Sequence, residues 1–169
     1  EHFAPFAEQG PLAVVSPDIG GVKRAEIFRQ ILSERSGHSI ASAFMEKRRS
    51  NGVVSGEMLV GDVRDRTAVL FDDMIATGTT LVRAARACAR EGAKRVFAAA
   101  THGLFVAGSP ELLADPAIEQ IVVSDTVPPF RIEADLAEQR IITLPASTLF
   151  AEAIRRMHQG ESVTDLLPR

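Results

Sequence analysis

One stretch constrains the fold of this chain more than any other: Val69-Leu70-Phe71-Asp72-Asp73-Met74-Ile75-Ala76-Thr77-Gly78-Thr79-Thr80. It begins as an apolar run, turns acidic, becomes a short loop of Thr and Gly, and opens an Ala/Arg-rich helical stretch over 81–90. A short continuous apolar run bounded by a turn and followed by a helix reads as a parallel strand buried on both faces. Two carboxylates stand at its C-terminal end, and an anion-sized loop lies at the N-terminus of the helix. Unpaired amides and the positive end of the helix dipole favour an anion there. Gly78 lets the backbone approach a ligand, and the hydroxyls of Thr77, Thr79 and Thr80 donate to phosphate oxygens. Asp72 and Asp73, one step back along the strand, are acceptors suited to sugar hydroxyls or to a metal ion beside them. Phosphate on one side and hydroxyl acceptors on the other describe a sugar-phosphate site. The plainer alternative is a strand–turn–helix corner with two solvated acids.

A second corner of the same kind lies upstream. The strand Leu12-Ala13-Val14-Val15-Ser16 runs into Pro17-Asp18-Ile19-Gly20-Gly21 and then a helical stretch over 22–32. A Gly-bearing turn between strand and helix is again an anion cradle, although Gly-Gly corners are common in plain βα turns. Lys23 and Arg24 in the first helical turn oppose the dipole, which fits side chains facing an anion or solvated charges. A strand over 40–45 ends in Glu46-Lys47-Arg48-Arg49, followed by the soft segment Ser50-Asn51-Gly52-Val53-Val54-Ser55-Gly56. Cations just past a strand end, followed by a Gly/Ser/Asn loop, are expected to form a positively charged flap over the ligand side of an open sheet. Otherwise they are a solvated basic turn.

Further strands are expected at 57–63, 67–71, 94–101, 119–124 and 140–144, and helices at 81–90, 109–113 and 146–158. The last helix is amphipathic through Leu149, Phe150, Ala153, Ile154 and Met157. His102, alone at a strand end, reads as structural. Strands alternating with helices give an α/β class, with a doubly wound, mainly parallel sheet flanked by helices.

The 169 residues suffice for one domain with a real core. A net charge of −3 argues against a nucleic-acid partner, and no apolar run is long enough for a membrane. Cys88 sits among alanines as a small core residue, and a lone cysteine gives no disulfide framework, which suits a cytoplasmic location. The opening Glu1-His2-Phe3-Ala4-Pro5-Phe6 lacks a starting Met and reads as the middle of a helix or a linker. The expected organisation is 1–11 as a linker or the end of a preceding N-terminal domain, 12–159 as the α/β domain, and 160–169 as a tail.

The stretch over 70–80 resembles the 5-phosphoribosyl-diphosphate (PRPP) motif of the type I phosphoribosyltransferase fold. Together with 14–25, 46–49, 61–69, 92–102 and 124–128, it resembles the C-terminal half of the ribose-phosphate diphosphokinase (PRPP synthetase) family over nearly the whole chain. The run Lys47-Arg48-Arg49 discriminates most, since that family carries it on a catalytic flexible loop. The resemblance implies conversion of ribose 5-phosphate and ATP to PRPP and AMP with Mg²⁺, in a homo-oligomer, dimer or hexamer. It assigns the ribose hydroxyls to Asp72 and Asp73, and the 5-phosphate to the loop of Ala76, Thr77, Gly78, Thr79 and Thr80. The diphosphate loop would be Asp18, Gly20 and Gly21, with Asp18 also positioning the metal, and Lys47 and Arg49 would close on the β- and γ-phosphates of ATP.

Two departures stand out. Ala76 replaces an acid usual in the family and resembles the adenine phosphoribosyltransferase loop, and Gly103-Leu104-Phe105-Val106-Ala107-Gly108 replaces a Phe-Ser-Gly stretch linked to phosphate control. The alternatives are a phosphoribosyltransferase that consumes PRPP and a non-catalytic regulatory paralogue of the synthetase.

Overall fold

The computed structural model describes residues 2–50, 53–106 and 109–166, without the side chains of 47–50, 53–57 and 110–112. In chain order the elements are α1 (Ala4–Gln9), β1 (Leu12–Ser16), α2 (Val22–Ser36), β2 (Ala41–Ser50), β3 (Val53–Gly61) and β4 (Thr67–Ile75). They continue with α3 (Thr79–Arg90), β5 (Arg95–Gly103), α4 (Ser109–Ala114), β6 (Gln120–Ser124), α5 (Ala134–Arg140), β7 (Ile141–Leu144) and α6 (Ser147–Gln159), then a short 3₁₀ turn at Thr164–Leu166.

The strands form one seven-stranded sheet in the order β3-β2-β1-β4-β5-β6-β7. Every neighbouring pair is parallel except β2 with β3, so the one antiparallel strand lies at an edge. This is the expected doubly wound α/β architecture. The chain runs outward from β1 in one direction and from β4 in the other. The β1/β4 boundary is therefore the topological switch point, where open sheets of this class bind ligands beyond their carboxyl ends.

The apolar run of β1 is buried at every position because helices cover both faces. Ala13, Val15, Ala68, Leu70, Ala98 and Ala100 face a core with Leu81, Ala84, Ala85 and Cys88 of α3. Their strand neighbours Leu12, Val14, Val69, Phe97 and Ala99 face a second core with Phe3 and Ala7 of the N-terminal segment and with Ala25 and Leu32 of α2. Alternation along each strand thus feeds two layers. Burial pushes the Cys88 thiol up to about 12, which keeps it protonated and inert at neutral pH.

Two elements depart from expectation. The basic run and the soft segment after it do not start a loop at Ser50. β2 continues through Ser50 and pairs antiparallel with β3, with Lys47 opposite Glu57 and Ser50 opposite Val53, while Asn51 and Gly52 of the expected soft segment lie outside the described residues. Long-range pairing outweighs the weak local strand preference of Gly and Ser here. The pairing shifts between Arg48 and Arg49, where β3 carries one extra residue, a β-bulge. The other departure is α5, which fills a stretch for which the sequence set no expectation.

Candidate functional site

Both sequence-marked corners stand at the carboxyl end of the sheet, on either side of the switch point. They are built differently. At the β1–α2 corner the chain closes on itself: Ser16 Oγ, fully buried, donates to the Asp18 carbonyl at 2.6 Å, and the Gly21 amide donates to Asp18 Oδ1 at 2.9 Å. The Asp18 carboxylate thus closes the turn ahead of α2 by accepting the amide of Gly21, the N-cap residue, while α2 itself has no side-chain cap. Gly21 is required by space, since a Cβ there would lie 2.7 Å from Ser16 Oγ.

At the β4–α3 corner no carboxylate caps the helix. Gly78 adopts the left-handed conformation (φ 80°, ψ 0°) and accepts the first helical bond, from the Val82 amide at 3.0 Å. Thr77 Oγ1 lies 3.1 Å from Thr79 Oγ1 and 3.4 Å from the Thr79 amide. First-turn amides of a helix have no intrahelical acceptor, so the end of α3 offers donors and a positive dipole to an anion. The loop is held from below. The Ile75 carbonyl accepts the amides of Leu104 and Phe105, and the Ala76 carbonyl accepts the Val106 amide at 3.1 Å and the buried Ser109 hydroxyl at 3.0 Å. Residues 104–106 of the segment that departs from the resembled family, with Ser109, thus serve as a brace; Ala107 and Gly108 lie outside the described residues. His102 itself pairs through Nδ1 with Thr126 Oγ1 at 2.8 Å, a structural arrangement at the ends of β5 and β6.

A cavity of about 250 Å³ opens between the corners, lined by Pro17, Asp18, Ile19, Gly20, Met45, Thr80 and Arg83. It gathers Asp18, Gly20 and Thr80 from the sequence-marked set and adds Arg83. Thr77, Gly78 and Thr79 lie beside it at the head of α3, and Gly21 lies behind the Asp18 carboxylate. Arg83 was not singled out in the sequence. Its signal is spacing, because it stands four residues after Thr79 and so on the same helix face.

Asp72 and Asp73 do not line this cavity. They are drawn together by Arg24 of α2, whose Nη1 lies 2.5 Å from Asp72 Oδ1 and whose Nη2 lies 2.8 Å from Asp73 Oδ2. The cation noted near the helix start thus faces an anion, and that anion is the acid pair of β4. Burial pushes the Asp72 carboxyl above the ordinary aspartate value; the Asp73 amide and Arg24 pull the other way without offsetting it. The side chains of Lys47 and Arg49 lie outside the described residues. The backbone puts Lys47 three residues past Phe44, which pairs with Ser16 at the end of β1, so roughly 10 Å of strand projects on the ligand side. Among the described residues no three His, Cys, Asp or Glu side chains gather as a metal cage, and no helix is long and apolar enough to cross a membrane.

Comparison with known proteins turns this geometry into a family assignment. A sequence profile described as the phosphoribosyl synthetase-associated domain matches residues 53–168. The chain belongs to that family. Among its curated relatives, the ribose-phosphate pyrophosphokinase of Haemophilus ducreyi is 47% identical over 153 residues, covering 89% of this chain and 46% of the relative. That of Haemophilus influenzae is 44% identical over 152 residues, with the same shares covered. The solved phosphoribosylpyrophosphate synthetase of Mycobacterium smegmatis superposes with a TM-score of 0.75 at 33% identity, covering 94% of this chain and 47% of that one. The resemblance drawn from the motifs is borne out, and the chain spans about half the length of the curated relatives it matches.

Proposed function

We propose that this chain is the ribose-phosphate-binding part of a ribose-phosphate diphosphokinase, which transfers diphosphate from ATP to ribose 5-phosphate and yields PRPP and AMP. The observation that carries the reading is the open corner of α3 beside the Arg24-bound acid pair, at the switch point of the sheet. The loop of Ala76, Thr77, Gly78, Thr79 and Thr80 takes the 5-phosphate, and Asp72 and Asp73 take the ribose hydroxyls. The Asp18, Gly20 and Gly21 corner takes the diphosphate side, across the cavity.

In the reaction, the ribose O1 forms a bond to the β-phosphorus as the bond from that phosphorus to the α–β bridging oxygen breaks. AMP leaves with the bridging oxygen, and the O1 proton is lost. Such transfer depends on positioning and on cations near the phosphoryl oxygens. Lys47 and Arg49, on the projecting strand, supply two of them. Asp18 suits Mg²⁺: its Oδ1 is held by the Gly21 amide, and a lone carboxylate with substrate oxygens is the usual donor set for that ion. When bound, Mg²⁺ supplies charge neutralisation on the diphosphate. The protein would assemble as a dimer or hexamer.

The test is AMP formation from ATP and ribose 5-phosphate by the whole protein, with Mg²⁺ present. Activity that falls by orders of magnitude in Lys47→Ala, with ribose 5-phosphate affinity little changed, is the expected result. A silent protein contradicts the reading. One observation favours a second reading, a regulatory paralogue: Ala76 stands where the resembled family has an acid. Co-purification with an active synthetase, without activity alone, would support it.

A further inference from the structure

The acid pair of β4 is held by three hydrogen bonds. Arg24 Nη1 donates to Asp72 Oδ1 and Nη2 to Asp73 Oδ2, and the Asp73 amide donates to Asp72 Oδ1 at 2.9 Å. All three use Asp72 Oδ1 or Asp73 Oδ2. Asp72 Oδ2 and Asp73 Oδ1 take none of them, so each carboxylate keeps one oxygen for a ligand.

Successive side chains on a strand point to opposite faces. Two adjacent acids serve one ligand only if something turns them toward each other. A guanidinium does this because its donors are fixed in a planar fork that spans two acceptors, whereas an ammonium is a point charge. Stability does not explain the reach to Asp73. The Asp72 carboxylate is 21% exposed and holds Arg24 on its own, whereas Asp73 is 54% exposed and Arg24 37%, and an ion pair that open contributes little. A cation in the first turn of α2 also opposes the helix dipole. What the contact supplies is orientation.

We propose that Arg24 is a positioning residue that turns Asp72 and Asp73 into one reader of a cis-diol, and so sets a preference for ribose over 2-deoxyribose phosphates. The inference rests on the reading of the site as ribose-phosphate-binding. Loss of either hydroxyl would leave a carboxylate oxygen without its donor, the kind of mismatch that discriminates strongly between analogues.

The experiment is titration calorimetry of the full chain with ribose 5-phosphate, 2-deoxyribose 5-phosphate and inorganic phosphate, with thermal unfolding as a check on folding. The wild type is expected to prefer ribose 5-phosphate over the deoxy analogue by about tenfold or more. In Arg24→Ala that preference collapses through weaker ribose 5-phosphate binding, while affinities for the deoxy sugar and inorganic phosphate stay within about threefold. Arg24→Lys, which keeps the charge, is expected to lose the preference as well, because an ammonium does not span both carboxylates. It carries the test if Arg24→Ala fails to fold. An unchanged preference in the folded variants, or none in the wild type, overturns the inference alone. A wild type that binds ribose 5-phosphate no better than inorganic phosphate overturns the functional reading, and the inference with it.

Discussion

The two βα corners of the switch point share a plan and differ in what holds the turn. Where β1 meets α2, an aspartate carboxylate takes the amide of the N-cap residue Gly21, and a buried serine ties the turn shut. Where β4 meets α3, glycine and threonines leave the helix end open, and the nearest acids are bound to an arginine from the other corner. The difference teaches how one fold makes two unlike corners. A turn closed by a carboxylate presents negative charge, suited to a cation and the phosphates that accompany it. A turn of glycine and threonines presents donors, suited to a phosphate directly.

Substitutions at the two corners should separate these roles. The largest effect is expected from Gly21→Ala, whose Cβ would meet Ser16 Oγ at 2.7 Å. Overpacking of this kind costs roughly 1–3 kcal/mol, seen as a lower denaturation midpoint, with ribose 5-phosphate binding at the open corner retained. Gly78→Ala is expected to touch binding as well. Its left-handed backbone costs about 1–2 kcal/mol in an L-residue, and ribose 5-phosphate affinity falls along with stability.

Asp18 divides hydrogen bonding from charge. Asp18→Ala should lose about 1 kcal/mol of stability with the bond from the Gly21 amide, while Asp18→Asn keeps an acceptor for that amide and should lose only about a few tenths. Both should lose the magnesium response of the reaction. If Asn and Ala prove equally destabilising, the bond from the Gly21 amide is not what Asp18 contributes to the turn.

The smallest effect concerns pH. Because burial raises the Asp72 carboxyl, the folded chain holds that proton to higher pH than the unfolded one. Its contribution to stability is complete below the ordinary aspartate value and is lost as pH rises through the raised one. Urea unfolding across that acid window should show wild-type stability falling relative to Asp72→Asn. A difference that grows the other way would place Asp72 in a stabilising pair instead.

Much of this was legible in the sequence because local chemistry set it. The apolar run into Asp72-Asp73 and the Thr/Gly loop after it fold as a strand, an acid pair and a helix start, and the Asp18-Ile19-Gly20-Gly21 turn folds as the matching corner. What escaped depends on contacts distant in sequence. Nothing within 46–56 shows that β2 would run on through Ser50, because its partner strand supplies that pairing. Arg24 could be marked as a cation in the wrong place for the dipole, but its anion lies 48 and 49 residues away. Arg83 enters the cavity only once the β1 corner is folded against α3. The apolar positions of α6 were equally plain, yet Leu149, Phe150, Ile154 and Met157 are exposed, since amphipathicity does not say what covers a face.

The most direct test of the central claim is amide NMR of the isotope-labelled protein during titration with ribose 5-phosphate. The open corner should respond, with the largest saturable shifts at Gly78, Thr79 and Thr80 and smaller ones at Gly20 and Gly21. Shifts confined to the Asp18–Gly21 turn, or to residues away from both corners, would contradict it.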